Sequence, residues 1–188
     1  MKSSLLFLLL FSGCEGYELG DSLFGPRWDL SKRIYITLSE HMPKPQLVRA
    51  ATIQAIIQAG GTVTEDPKAD QKIEIVDTDD GPCPLPYKLA FTITPVDGVI
   101  HLCRTNLINI PYTQNSLTDV LFHELGHELS NRGKHIGGED LVLNYVDCKS
   151  HAVMSSSTDC HPGVTAYTPE DIDYICSTGN TINGICPP

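Results

Sequence analysis

The sequence predicts a single α/β domain (α+β in arrangement), in which helices pack on a small, mixed and twisted sheet. Three observations predict it. Alternating apolar stretches and helical apolar periods follow one another along the chain. A length of 188 residues is enough for one core and not for two. A hydrophobic content of 41% with 19% charged residues is a globular composition, which excludes wholesale disorder. The formal net charge of −10 offers nothing that would release counterions from phosphates, so a nucleic-acid partner is excluded as well.

The elements can be justified in order. Residues 32–38 alternate, with Ile34, Ile36 and Leu38 on one face, and form a first strand. Pro43 and Pro45 open a helix that runs to Ala59, with Leu47, Ala50, Ile53 and Ile57 on one side, and Gly60 and Gly61 stop it. Residues 72–77 are a second strand, closed by the turn residues Asp79, Asp80, Gly81 and Pro82. Residues 89–94 and 99–103 are two further strands, joined by the Asp97-Gly98 pair of a tight hairpin. A second helix spans 117–131, with Ser116 as its N-cap, Asp119 completing a variant capping box, and Leu121, Leu125 and Leu129 as a buried stripe. Residues 133–166 read as loop. Thr168, Pro169, Glu170 and Asp171 then give a cap, a proline at the first position and acids against the dipole. That last helix packs Ile172, Ile175 and Cys176 and ends near Gly179.

The chain start has a different character. Lys2 precedes a short apolar run from Leu5 to Phe11, too short for a permanent membrane span and of signal-peptide length. Phe11-Ser12-Gly13-Cys14 resembles the lipobox of bacterial lipoproteins, with Phe11 where that family usually carries Leu. The resemblance implies cleavage before Cys14 and its lipidation. The expected division is a signal peptide over 1–13, a Gly-rich acidic tether over 14–28 and one domain over 29–188. Cysteine arithmetic agrees: seven is odd, and lipidating Cys14 leaves six for disulfides in an oxidising compartment. Proximity favours Cys83–Cys103, Cys148–Cys160 and Cys176–Cys186. The expected location is therefore exported, either lipid-anchored to a bacterial membrane or secreted.

The chemistry lies in His123-Glu124-Leu125-Gly126-His127. Two histidines four apart on a helix leave the same face about one turn apart, a spacing that lets both bind one tetrahedral Zn²⁺ at roughly 2.0–2.1 Å. Glu124 lies beside the first ligand, placed to take a proton from a metal-bound water whose pKa zinc lowers towards ~7. A solvated surface helix could carry the same letters, but the leucine stripe and the export signals argue against it.

The surroundings resemble the metzincin metallopeptidases, the matrixin branch most closely. Residues 121–129 look like that family's active-site helix. Leu89-Ala90 and Gly98-Val99-Ile100-His101-Leu102 resemble its edge-strand region, Ala152-Val153-Met154-Ser155 its Met-turn, and residues 168–172 the start of its C-terminal helix. The resemblance implies zinc, a peptide or protein substrate bound along the edge strand, and Met154 as an apolar base beneath the metal. The family places a glycine three residues after the second histidine and a third histidine three further on. Here those positions are Ser130 and Gly133, and the nearest histidine is His135. Gly133 can supply the left-handed turn that brings His135 to the metal. Competing third ligands are Glu139, Asp140, Asp147 and His151, while His41, His101 and His161 read as surface histidines.

These readings converge on a monomeric zinc-dependent endopeptidase, with Glu124 as base and His123, His127 and His135 as ligands. Its rivals are an inactive zinc-holding or partner-binding module on the same fold, and a zinc peptidase of another class with an acidic third ligand, Glu139 or Asp140. Cleavage specificity depends on loop shapes that the sequence does not give.

Overall fold

The computed structural model describes residues 28–77, 90–92, 98–103, 114–130, 136, 141–142, 145–146, 153–154, 166–177, 181–182 and 186. It shows a mixed α/β architecture. Its elements are β1 (Trp28–Asp29), β2 (Arg33–Leu38), α1 (Pro45–Gln58), β3 (Thr62–Thr64), β4 (Gln71–Asp77), β5 (Ala90–Thr92), β6 (Val99–Leu102), α2 (Gln114–Ser130), β7 (Leu141–Val142), β8 (Tyr145–Val146), α3 (Pro169–Cys176) and β9 (Thr181–Ile182).

Five strands form the central sheet in the order β3-β2-β4-β6-β5. The first four run parallel, and β5 closes the edge antiparallel to β6, with Phe91 opposite His101. Strand alternation gives the sheet one apolar face: Ile34, Ile36, Ile73, Ile75, Ile100 and Leu102 are all buried at 0–1% exposure. Each such side chain contributes about 2 kcal/mol of burial free energy. α1 packs against α2, and α2 against both β5 and α3, so the core lies between the sheet and the helices.

Several sequence expectations need correction. α1 buries Val48, Ala51, Thr52, Ala55 and Ile56, while Ile57 is 57% exposed. The expected face of Leu47, Ala50, Ile53 and Ile57 is therefore rotated by about one position. Apolar residues lie on both flanks of this helix, so periodicity alone did not choose between them. Its end is as expected: Gly60, at φ 86°, donates its N–H to Ile57 O and Gly61 to Ile56 O, satisfying two carbonyls of the last turn.

α2 starts at Gln114, so Ser116 lies inside the first turn and does not cap it. The first-turn N–H groups have no intrahelical partner anyway, which lets a polar Gln-Asn-Ser stretch occupy that turn. β3 was missed because three residues carry too little alternation. The 133–166 loop includes the short β7–β8 pair. α3 ends at Cys176, and of its expected packing residues only Ile175 is fully buried.

The assigned tether also ends earlier than expected. Trp28 is buried in the core, and its strand pairs in parallel with β9 (Trp28 opposite Thr181). β9 lies within the loop closed by the Cys176–Cys186 disulfide, whose Cα atoms are 5.2 Å apart. Cys103 is fully buried and also disulfide-bonded. Residues 1–27, Cys14 included, and Cys83, Cys148 and Cys160 lie outside the described residues. Among the described residues, no helix is long and apolar enough to cross a membrane.

Candidate metal centre

α2 is buried on every side from Leu117 to Ser130. Leu117, Leu121, Leu125 and Leu129 account for its apolar face. The other face is polar and equally buried: Thr118, Asp119, His123, Glu124, His127, Glu128 and Ser130 are each at most 7% exposed. Burying so many ionisable groups on one helix is costly unless they are partnered, and such clusters concentrate where chemistry is done.

His123 and His127 meet on this face. Their Nε2 atoms are 3.1 Å apart, and the rings stand edge to face at 85° with centroids 4.8 Å apart. On its other side, His123 Nδ1 lies 2.7 Å from the Val153 carbonyl oxygen. A carbonyl can only accept, so Nδ1 carries the proton and Nε2 keeps its lone pair. Two ligands on one tetrahedral zinc at 2.0–2.1 Å would be about 3.3–3.4 Å apart, close to the separation found here. A backbone carbonyl behind a ligating imidazole is the usual way in which ring orientation and tautomer are fixed. The donor set therefore suits zinc. Glu124, on the same helix turn, is 2% exposed.

Met154, next to the residue whose carbonyl meets His123, is fully buried and packs against the same helix. A Cβ built on Gly126 would collide with Met154 Sδ and lie 3.1 Å from its Cε. Gly126 is three residues after His123 and one before His127, so the thioether packs against the helix between the two histidine positions. The turn carrying Met154 is clamped from α3. Asp171 accepts Met154 N–H through Oδ1 at 2.9 Å and Val153 N–H through Oδ2 at 3.1 Å. The same carboxylate accepts Thr168 N–H at 2.8 Å and the Thr168 hydroxyl at 2.7 Å, completing the capping box of α3. One side chain thus both starts a helix and fixes the turn whose carbonyl orients His123.

No protein-family model and no curated protein matches this chain.

Two further contacts complete the surroundings. The Tyr167 hydroxyl donates to Phe122 O at 2.9 Å, and the two rings lie 4.8 Å apart. Burial, and secondarily the Asp171 carboxylate, push that phenol well above its ordinary value. Ile136 donates its N–H to Met154 O at 2.9 Å.

Of the residues singled out in the sequence, His123 and His127 meet, Glu124 lies buried on the same helix, and Met154 packs against Gly126, which lies between the two histidines in sequence. His135, Glu139, Asp140, Asp147, His151 and His161 lie outside the described residues. Among the described residues, no group of three metal-ligating side chains is complete. His41 is exposed, and His101 lies half-buried on β6. Sequence reasoning overlooked Gly126, Val153, Tyr167 and the second role of Asp171. Asp171 had a legible signal, the capping box, but nothing in the letters marks a cap that also reaches another turn.

Proposed function

We propose that this protein is a zinc-dependent endopeptidase of metzincin-like build. The observation that carries the reading is the His123–His127 pair: two buried Nε2 atoms 3.1 Å apart, one of them held as a lone-pair donor by the Val153 carbonyl. Structural packing alone gives no reason to bury two imidazoles with their Nε2 atoms facing one another. The sheet edge at β5 and the buried Met154 are further support for this reading.

In this reading His123 and His127 supply two ligands and His135 the third. Ile136, the residue after His135, donates its N–H to Met154 O, and that contact supports this choice. Zinc bound there would polarise the scissile carbonyl and acidify a water molecule. Glu124 takes the proton and passes it to the leaving amine. The Val153 carbonyl orients His123, and Asp171 holds the turn that carries Val153 and Met154. Peptide substrates would lie along β5, and the chain would be exported, with Cys14 as a lipid anchor.

Zinc titration of the chelator-stripped protein tests the ligand set. His123→Ala, His127→Ala and His135→Ala should each lower affinity by orders of magnitude, and Asp140→Ala and His151→Ala should not. Unchanged affinity in His135→Ala would remove it from the set.

A further inference from the structure

The buried polar face of α2 continues beyond the histidine pair, to Glu128. Glu128 follows His127, is completely buried, and accepts the backbone N–H of Gly98 through Oε2 at 3.1 Å. Gly98 leads into β6 at φ 76°, a conformation that favours glycine, and a Cβ there would collide with the Lys72 carbonyl. The Gly98 carbonyl in turn accepts Glu74 N–H from β4 at 2.7 Å. Gly98 is thus held by the sheet on one side and by the metal helix on the other. β6 then pairs with β5, the edge of the sheet.

We propose that Glu128 is a positioning residue that sets the sheet edge relative to the His123–His127 pair, so that an extended peptide lying along β5 presents its scissile bond to the metal. This rests on the zinc-peptidase reading above. Burying a carboxylate in a core is costly, and a leucine at 128 would have continued the apolar packing of the helix. What the carboxylate adds is a direct hydrogen-bonded link from the residue after His127 to the strand beside the sheet edge. Substrate strands held by main-chain hydrogen bonds inherit the position of the edge they join. An error of about 1 Å there is enough to separate peptide binding from metal chemistry.

The test uses the zinc-loaded full chain and two ligands: acetohydroxamate, which reaches only the metal, and an apolar tripeptide hydroxamate, which also needs the strand. In Glu128→Leu, zinc content and acetohydroxamate affinity should stay unchanged while the tripeptide hydroxamate weakens about tenfold. Glu128→Gln, whose amide oxygen still accepts, should remain within about twofold for both ligands. If Glu128→Leu does not fold, Glu128→Asp, which withdraws the carboxylate by one methylene, takes its place in the same comparison. Parallel weakening of both ligands, or weakening of neither, overturns the positioning role while the zinc reading stands. A wild type that takes up no zinc overturns both.

Discussion

Met154 packs against Gly126 so closely that the sulfur occupies the space a Cβ would need. Glycine inside a helix costs about 1 kcal/mol relative to alanine, so on propensity alone Gly126→Ala would stabilise. Overpacking a close-fitted core costs about 1–3 kcal/mol, and at this contact it outweighs the gain. Gly126→Ala should therefore lower the denaturation midpoint, and Met154→Ala in the same chain should recover part of the loss. Urea denaturation of the four species of that cycle checks it, and a stabilised Gly126→Ala would refute the packing argument.

Asp171 accepts four hydrogen bonds from three residues through two oxygen atoms, and its replacement by Asn keeps size but turns one acceptor into a donor. That amide would face a backbone N–H of Thr168, Val153 or Met154. Asp171→Asn should cost about 3 kcal/mol in stability. Because Val153 orients His123, zinc affinity should also fall by about 10–100-fold although no ligand has changed. Chemical denaturation and zinc titration on one preparation test both halves. Normal zinc affinity in a destabilised variant would confine Asp171 to a capping role.

The Tyr167 phenol, raised above its ordinary value of 10.0 by burial and then by Asp171, makes a pH prediction with a definite sign. Above about pH 10 the unfolded chain loses this proton while the folded chain keeps it, so the unfolded state binds fewer protons and stability falls as pH rises. This contribution is fully present below pH 10 and is lost with a slope approaching about 1.4 kcal/mol per pH unit until the folded phenol ionises. Tyr167→Phe should lose about 1 kcal/mol at pH 7 with the Phe122 hydrogen bond, and its stability should decline less steeply than the wild type's between pH 10 and 11. Identical slopes in the two proteins would show that Tyr167 does not carry the effect.

What the sequence made legible follows from how local each signal is. The histidine pair was readable because four-residue spacing on a helix dictates one face, and the start of α3 was readable because the capping box is contained in four residues. The alternation in β2 and β4 likewise reports directly on the sheet's buried face. The rotated face of α1 was not readable, since apolar side chains on both flanks leave the choice to the sheet that it meets. The links from Asp171 to Met154 and from Glu128 to Gly98 span 17 and 30 residues, and no local pattern specifies a partner at that distance. The all-round burial of α2 was hidden for the same reason, because its polar face is covered by segments remote in sequence.

The measurement that bears most directly on the central claim is peptide hydrolysis by zinc-loaded wild type beside zinc-loaded Glu124→Gln, on a broad quenched-fluorescent peptide library. The account predicts that the wild type cleaves members of the library, that a chelator abolishes and zinc restores the activity, and that Glu124→Gln keeps its zinc while turning over at least ~10²-fold more slowly. A wild type that holds zinc and cleaves nothing, or a Glu124→Gln variant with wild-type turnover, would contradict it.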